Sequence, residues 1–374
     1  MTKHVAVAQP ALGEEEARCI NDALTKGAIS GFFGDYLPLF ENEFAQFCGC
    51  EFGVSTTSGT TAIHLALAML DIGAGDEVLV STLTNMATFF PVLYQGATPV
   101  PIDIEPDTLN LDPALLEARI TPRTKAIIVV HLFGHPVDMD PVMAVARKHG
   151  LYVIEDAAEA HGATYKGRKV GGIGDVGCFS FYANKIITTG EGGMLTTNNR
   201  AWADRARNLK GLAFGEPMKF MHRAVGYNYR MTNLQAALGH AQFSKIDKFI
   251  AARRQVAHFY NQKFANVDAL RLPVEKAYAR NVYWMYHVVL QGKAADRRAE
   301  VMDRLQKRNI ETREGFIPYN MQKIFIDGGL TKRDDCPRAN AVAMRGFYIP
   351  SGVGLTDDEL DYVADNLIEV LDAF

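Results

Sequence analysis

The sequence predicts an α/β protein whose larger part is built on a mostly parallel sheet. Between about residue 50 and residue 200, apolar runs alternate with helical patterns, which is the βαβ rhythm of this class. Several of the runs, such as AIIVV and LYVI, are continuously apolar instead of alternating. Such strands are covered on both faces, so we expect helices on each side of the sheet. Further along the chain the pattern changes to a smaller α+β arrangement.

Two domains are expected, because 374 residues are more than one small core needs. The larger domain is placed at residues 1–245 and the smaller one at residues 246–374. The last two strands of the larger domain are separated only by a glycine-rich turn, so one neighbour in its sheet is expected to be antiparallel. The seven strands predicted for this sheet are Phe52–Ser55, Glu77–Ser81, Thr98–Ile104, Lys125–His131, Leu151–Glu155, Cys178–Phe181 and Gly193–Thr197.

Helices are predicted where apolar residues recur at helical spacing. The last of them is opened by Thr356 and a run of acids, which is the pattern of a capped helix. The predicted helices are Thr60–Leu70, Asp112–Ala118, Asp140–Lys148, one long helix over Asn233–Phe264, Arg297–Arg308 and Asp357–Leu371. In the smaller domain, strands are predicted at Val282–Leu290 and Ile310–Arg313.

The composition excludes several classes of protein. The formal net charge is −4 and there is no basic block, so nothing favours nucleic acid or an anionic membrane as a partner. No apolar run has the length of a membrane span or of a signal peptide. The five scattered cysteines predict reduced, buried thiols. We therefore expect a soluble cytoplasmic protein.

The most informative stretch is GCFSFYANKIITTGEGG, at residues 177–193. An apolar strand delivers Lys185 into a turn, and a glycine-rich hairpin follows. A lysine near apolar walls loses hydration, and its neutral amine can then attack a carbonyl. This is what an aldimine with pyridoxal phosphate (PLP) requires. A surface lysine in a turn is the alternative, but the apolar and small neighbours favour the Schiff base.

A second stretch, LYVIEDAAEAHGA at residues 151–163, ends an apolar strand on Asp156. Open α/β sheets bind ligands at the carboxyl ends of their strands, and the PLP ring nitrogen needs a carboxylate partner if the ring is to accept electrons. Glu155 and Asp156 are adjacent acids, and a pyridinium would supply the cation that they need. Helix capping is the alternative for Asp156. Glu159, one helical turn on, is expected near the ring hydroxyl, or else is a solvated helix residue.

A phosphate site is predicted in TTSGTTAIHLALAML, at residues 56–70. Gly59 and Thr60 lie where a strand ends and a helix begins, and a helix N-terminus attracts anions. Simple capping by Ser58 or Thr60 is the alternative. Ser180 alternates with two phenylalanines, so its hydroxyl points away from their rings. It is expected to bind the phosphate, or else a neighbouring carbonyl.

Two other motifs are rejected. GIGDVG, at residues 172–177, has the letters of a dinucleotide fingerprint, but it leads into a strand, whereas the fingerprint needs a helix there. His131 and His135 in HLFGH lie at a strand end with Gly134 between them, and no acidic third ligand is evident. No metal site is predicted.

Taken in order, the motifs resemble those of the DegT/DnrJ/EryC1/StrS family of nucleotide-sugar aminotransferases over nearly the whole chain. The resemblance rests on SGTTAIHLALAML, GDEVLVSTLT, GATPVPIDI, EDAAEAHGA, FSFYANKIITTGEGGM and VGYNYRMTNLQAALG. It implies a fold-type-I PLP transferase. ITPRTKAI, VHLFGHPVDMDP, NKIITTGEGGM and YNYRMTN are most similar to members that aminate GDP-4-keto-6-deoxy-mannose.

The resemblance also implies a role for each matched residue. Lys185 would form the aldimine and carry the proton, Asp156 would pair with the pyridinium, and Glu159 would contact the ring substituents. The phosphate would be held by Gly59, Thr60 and Ser180. Asn228 would reach the phosphate bound by a neighbouring subunit, which implies a homodimer with shared active sites.

The expected reaction is a two-stage transamination. L-glutamate leaves its amino group on the cofactor as pyridoxamine phosphate, and a nucleotide-linked keto-sugar then receives it. Arg313 and His222 are candidate contacts for substrate anions, or equally surface or packing residues. Relatives that dehydrate at C3 carry His where this chain has Lys185. The alternatives are a dTDP- or UDP-linked or 3-keto sugar, a PLP lyase and a non-catalytic PLP-binding regulator.

Three positions depart from the family pattern. Asn85 stands where relatives usually have an aromatic residue that stacks on the cofactor ring. Either Phe89 or another ring replaces it, or stacking is absent. Ala28 and Asn320 stand where relatives tend to have Trp and His. All three are expected near contacts with the substrate or the ring.

Overall fold

The computed structural model describes residues 4–374. Its α-helices are α1 Glu14–Thr25, α2 Tyr36–Phe47, α3 Gly59–Met69, α4 Phe90–Tyr94, α5 Met139–His149, α6 Arg200–Lys210, α7 Asn233–Phe243, α8 Ile246–Lys263, α9 Arg298–Gln306, α10 Lys323–Asp327, α11 Pro337–Ala343 and α12 Asp357–Asp372. None of these helices combines the length and the apolar character that a membrane span needs.

The strands fall into one large sheet and two smaller ones. They are β1 Phe52–Thr56, β2 Glu77–Ser81, β3 Thr98–Ile102, β4 Thr124–Val130, β5 Tyr152–Asp156, β6 Thr164–Tyr165, β7 Arg168–Lys169, β8 Val176–Ser180, β9 Gly193–Thr197, β10 Leu270–Arg271, β11 Ala279–Arg280, β12 Tyr286–Leu290, β13 Arg313–Glu314 and β14 Gly346–Ile349.

The large sheet has seven strands in the order β1-β9-β8-β5-β4-β2-β3. The pairs from β8 through β5, β4 and β2 to β3 are parallel. Strand β9 runs antiparallel to both of its neighbours, β8 and β1. The predicted seven-stranded, mostly parallel sheet with an antiparallel neighbour is therefore confirmed.

Both faces of this sheet are buried, because consecutive side chains of a strand point to opposite sides. On β2, Val78 and Val80 join the core that contains α3, whereas Leu79 joins the core that contains α5. On β4, Ile128 and Ile127 divide in the same way. The continuously apolar runs are thus strands between two helical layers, as their sequence predicts.

The C-terminal part carries a second, antiparallel sheet in the order β10-β12-β14-β13. Val288 and Phe347 of this sheet pack in one core with residues of α8, α9 and α12. Helix α12 begins with the predicted cap, in which Thr356 accepts a hydrogen bond from the amide of Glu359. The predicted boundary at residue 246 falls on the first residue of α8, and the division into two domains stays a prediction.

Two helical predictions are wrong. The long pattern over Asn233–Phe264 is divided into α7 and α8 at Ser244, whose hydroxyl donates to the carbonyl of Ala241 and so competes with the helical backbone. The stretch Asp112–Ala118 forms two short 3-10 turns instead of one α-helix, and the Asp112 side chain caps the first turn by accepting from the amide of Ala114. Helices α1, α2, α4, α6, α10 and α11 were not predicted.

The strand directions bring the predicted site residues to one edge of the large sheet. Strands β1 and β8 both run opposite to β9, and β5 and β2 run parallel to β8. The carboxyl ends of β1, β2, β5 and β8 therefore meet at the same edge, where open α/β sheets bind ligands.

Candidate active site

A cavity of about 360 Å³ lies at this edge of the large sheet and reaches the C-terminal part of the chain. Nine site residues were predicted from the sequence, and seven of them line the cavity. These seven are Gly59, Thr60, Asp156, Glu159, Ser180, Lys185 and Arg313. Asn228 and His222 lie outside it.

Lys185 projects into the cavity from the turn that follows β8. Its amide donates to the carbonyl of Tyr182 at 2.9 Å, which closes the turn, and its Nζ lies 3.8 Å from the centre of the Trp284 ring. Within residues 4–374 it forms no ion pair. Burial lowers the pKa of the amine, and this outweighs the opposing attraction of Glu159 and Asp156. The site therefore favours the neutral amine, which is the nucleophilic form.

Asp156 ends β5 and points into the cavity. Its Oδ2 accepts from the hydroxyl of Thr88 at 2.7 Å, and Thr88 is in turn 2.9 Å from the hydroxyl of Thr84. Its Oδ1 accepts from the amide of Ala158 at 3.2 Å, so the side chain also caps the following turn. Burial raises the pKa of Asp156 more than these hydrogen bonds lower it. A cation in the cavity would stabilise the carboxylate.

Glu155 does not share this site, contrary to the expectation that the two adjacent acids share one cation. It points to the opposite face of β5, where His131 Nε2 lies 3.0 Å from its carboxylate. The amides of Gly171, Ile173 and Gly174 also donate to it. Although burial opposes ionisation, these hydrogen bonds hold the pKa of Glu155 below its usual value. Glu155 thus stabilises, through these hydrogen bonds, the turn that precedes β8.

Glu159 is a cavity residue and not a solvated one, since it is only 4% exposed. Its Oε2 accepts from the amide of Phe133 at 2.8 Å. Burial raises the pKa of Glu159 to about 7, with Asp156 adding to the effect and Lys185 opposing it. The side chain can therefore gain or lose a proton near neutral pH.

The N-terminus of α3 offers free donors to the cavity. Ser58 is the cap, and its hydroxyl accepts from the amide of Thr61. Within the described residues, the amides of Gly59 and Thr60 have no acceptor. A Cβ at Gly59 would lie 2.8 Å from the Cβ of Ser180. Capping and anion binding are therefore compatible here, because the cap occupies other amides than those that face the cavity.

The remaining predicted contacts lie at or beyond the cavity rim. Arg313 is exposed and pairs with Glu311 at 2.9 Å. His222 is exposed, with its Nδ1 3.0 Å from the carbonyl of Leu212. Asn228 is exposed in a segment that pairs with Gly211. The roles of these three residues stay predictions.

Of the three departures from the family pattern, Asn85 alone lines the cavity. Asn320 is fully buried, bonds Thr82 and Asn340 and does not line the cavity. Ala28 is half-buried, and its carbonyl accepts from Asn233. Phe89 does not replace the missing ring, because it is fully buried and stacks on Tyr319 with ring centres 4.2 Å apart.

The two rejected motifs have structural explanations. GIGDVG forms the turn that leads into β8. His131 Nδ1 accepts from the amide of Val137, and His135 Nδ1 lies 2.7 Å from the carbonyl of Pro136. Over residues 4–374 there is no cluster of His, Cys, Asp and Glu suited to hold a metal ion.

Sequence reasoning missed several cavity residues. Thr84 and Thr88 hold Asp156 through hydrogen bonds, and their spacing in LTNMATFF is the one signal that was present. The C-terminal part contributes Trp284, Phe316 and Tyr348. Nothing local in the sequence marks these three, because they reach the lysine only through tertiary contacts.

A lysine with a depressed pKa, a carboxylate at a strand end and a helix N-terminus with free amides define a PLP-dependent transferase of fold type I. The sequence matches the DegT/DnrJ/EryC1/StrS aminotransferase family over residues 10–368. The chain therefore belongs to this family, and it is a PLP-dependent sugar aminotransferase.

Three known proteins illustrate the similarity. The GDP-perosamine synthase of Caulobacter vibrioides is 44% identical, with 98% of each chain covered. The dTDP-3-amino-3,4,6-trideoxy-alpha-D-glucose transaminase of Streptomyces venezuelae is 35% identical over 95% of this chain and 93% of its own. The solved PLP form of a putative sugar aminotransferase from Streptococcus pneumoniae has a TM-score of 0.94 and 26% identity, with 99% of each chain covered.

Replacing Gly59 with Ala tests the anion site. The added methyl group would push against Ser180, so the N-terminus of α3 would shift away from the predicted phosphate position. We expect the affinity for pyridoxamine phosphate to fall by about tenfold or more, since overpacking of this kind costs about 1–3 kcal/mol. Pyridoxamine phosphate is the suitable probe because its amine does not bond to Lys185.

Gly354→Ala is the matched control, because a Cβ there meets open space. Binding is measured by isothermal titration calorimetry, and folding is checked by circular dichroism. An unchanged affinity in a folded Gly59→Ala protein would place the phosphate elsewhere.

Proposed function

We propose that this enzyme transfers an amino group from L-glutamate to C4 of a nucleotide-linked 4-keto-6-deoxy sugar, GDP-4-keto-6-deoxy-D-mannose. The observation that carries this proposal is the 44% identity with a GDP-perosamine synthase over 98% of both chains. The dTDP-sugar transaminase, at 35% identity, supports the alternative of a dTDP-linked substrate less well.

The positions of the site residues in the cavity support the following proposed roles. When bound, PLP supplies an electron sink for the carbanion formed at the donor or sugar carbon. Lys185 carries the proton to and from that carbon, which its lowered pKa permits. Asp156 keeps the ring nitrogen protonated through a charge-assisted hydrogen bond. Glu159 contacts the ring substituents.

The phosphate of the cofactor is assigned to the N-terminus of α3. The amides of Gly59 and Thr60 and the hydroxyl of Ser180 face the cavity, and the helix dipole adds to their attraction for an anion. Arg313, at the cavity rim, is suited to a substrate carboxylate or phosphate because its guanidinium is always charged. His222 is proposed as a contact for a substrate anion outside this cavity.

A lyase and a non-catalytic regulator are the weaker alternatives. A regulator has no need for the nucleophile, yet Lys185 and Asp156 are both present in one cavity. A lyase shares these two residues, so the amino donor decides between the classes. In a transaminase, glutamate must convert the bound PLP to pyridoxamine phosphate and release 2-oxoglutarate.

Lys185→Ala is expected to abolish turnover, by at least about a thousandfold, because proton transfer by a positioned side chain contributes 10²–10⁴-fold and the covalent step is lost as well. Affinity for pyridoxamine phosphate should stay close to that of the unmodified protein. The measurement is the change in cofactor absorbance on adding glutamate, together with the yield of 2-oxoglutarate.

Lys169→Ala is the matched control, since Lys169 is also half-buried against an aromatic ring, 3.3 Å from the centre of Phe47, but lies outside the cavity. It should keep full turnover. If Lys185→Ala retained turnover, the assignment of the catalytic lysine would be wrong.

The sugar is tested with a panel of GDP-, dTDP- and UDP-linked keto-sugars. The value of kcat/KM for GDP-4-keto-6-deoxy-mannose should exceed that for each other substrate by at least about 100-fold, because polar groups that bind the correct base and hydroxyls are left unpaired by the wrong ones. A higher kcat/KM for a dTDP-linked or 3-keto sugar would replace the proposed substrate, while the transaminase assignment would stand.

A homodimer with shared active sites is also proposed. It is supported by the position of Asn228, which is exposed and outside the cavity of its own chain. The large side chains of Phe33, Phe220 and Val225 are between 73% and 85% exposed. Exposed apolar groups of this size favour a covering partner.

Mixing two inactive variants tests this arrangement. If Asn228 serves the neighbouring subunit, a heterodimer of Lys185→Ala and Asn228→Ala contains one intact site and one site with both changes. Refolding the two variants together should then restore about a quarter of the wild-type turnover. Turnover no higher than the mean of the two separate variants would mean that Asn228 acts within its own subunit or has no role.

A further inference from the structure

Trp284 contacts the segment of the catalytic lysine in two ways. The face of its ring lies 3.8 Å from Lys185 Nζ, and its indole Nε1 donates to the carbonyl of Asn184 at 2.9 Å. The side chain is 3% exposed. One residue from the C-terminal part of the chain therefore fixes both the amine and the backbone beside it.

The main chain of Trp284 is held by a buried arginine. Arg253, in α8, donates to the carbonyls of Trp284 and Ser351. It is 3% exposed, and no carboxylate in the described part of the chain pairs with it. Burial lowers the pKa of Arg253 to about 10. Since its cation is stabilised by main-chain carbonyls, moving Trp284 would leave a buried charge with fewer acceptors.

In the described part of the chain, the two carboxylates of the cavity bond to other groups and form no ion pair with the lysine. Asp156 is bonded to Thr88, and Glu159 is bonded to the amide of Phe133. An ammonium paired directly with Asp156 would compete with the ring nitrogen for that carboxylate. The face of an indole attracts an ammonium through its quadrupole, but it is not a base, so it does not remove the proton that the lysine carries from one carbon atom to the other.

We propose that Trp284 is a positioning residue that stabilises the ammonium form of Lys185 between the removal of a proton from one carbon atom and its delivery to the other. In doing so it leaves Asp156 free for the ring nitrogen. The proposal rests on the proposed function, in which Lys185 is released from the cofactor and takes up a proton in each half of the reaction.

Other titratable groups also affect the pKa of Lys185, so a test of the proposal must leave these groups unchanged. The acids Asp156 and Glu159 favour its charged form, whereas Arg253 opposes it. His161 interacts electrostatically with Lys185, and burial lowers the pKa of His161 to about 3, so it stays neutral. The other titratable side chains that line the cavity are Tyr182, Glu191, Arg313 and Tyr348.

Fluorination of the indole tests the proposal without changing the shape of the site. Each fluorine withdraws electrons from the ring face, while the indole N–H is kept. The chain has two tryptophans, and Trp202 packs on Tyr152, away from the lysine. In a Trp202→Phe background, incorporation of mono-, di- and tetrafluorotryptophan therefore changes Trp284 alone.

The readout is the pKa of Lys185 in the pyridoxamine form of the holoenzyme, in which the lysine is free. It is measured from the pH dependence of acetylation at this residue, quantified by mass spectrometry. Losing the π face destabilises the ammonium, so the pKa should fall with each step of fluorination, by about one unit in the tetrafluoro protein. The pH at which the glutamate half-reaction becomes fast should fall with it.

An unchanged pKa across the series would overturn the proposal and leave Trp284 with only its hydrogen bond to Asn184. Trp284→Phe gives an independent check, because it keeps a weaker face and loses the N–H. In this variant, the pKa of Lys185 should lie between its values in the unfluorinated and tetrafluoro proteins. A wild-type protein that released no 2-oxoglutarate from glutamate would instead refute the proposed function, whatever the pKa series gave.

Discussion

Consecutive residues of β5 point to opposite faces of the large sheet. The two carboxylates at its end, Glu155 and Asp156, therefore lie in different places: Glu155 binds a turn, and Asp156 lines the cavity. Glu155 turns toward His131 and the amides of the turn before β8. Asp156 turns toward the cavity, where hydroxyl and amide donors orient it. If the register of β5 slipped by one residue, every side chain would change faces. The site would then lose its carboxylate, and the turn would lose its anchor.

Burial sets the electrostatics of the site in the absence of a ligand. It raises the pKa values of Asp156 and Glu159 and lowers that of Lys185. All three groups are thus shifted toward their neutral forms, because burying an isolated charge costs several kcal/mol. PLP, when bound, would supply a cationic ring nitrogen that Asp156 could pair with, and this would favour the ionised form of the carboxylate.

The sequence was sufficient for the features that depend on local patterns. The seven strands follow from apolar runs, and Lys185, Asp156 and Gly59 follow from their places at strand ends. The features that the sequence analysis missed or predicted wrongly depend on tertiary contacts. The face taken by Glu155 depends on the turn that it binds, and the burial of Asn320 depends on Thr82 and Asn340. At the break between α7 and α8, the hydroxyl of Ser244 donates a hydrogen bond to the carbonyl of Ala241. The periodicity of apolar residues does not reveal this hydrogen bond.

The cavity is completed by the part of the chain that the sequence predicts as a separate domain. Trp284 lies just before β12, a strand of the four-stranded sheet in the C-terminal part. Its ring nevertheless contacts Lys185, in the turn after β8 of the large sheet. Arg253 of α8 holds the same residue through its carbonyl. The reactive amine is therefore positioned jointly by both sheets. Any change in how the C-terminal part packs on the large sheet must alter the environment of Lys185, because the Trp284 ring contacts the amine directly.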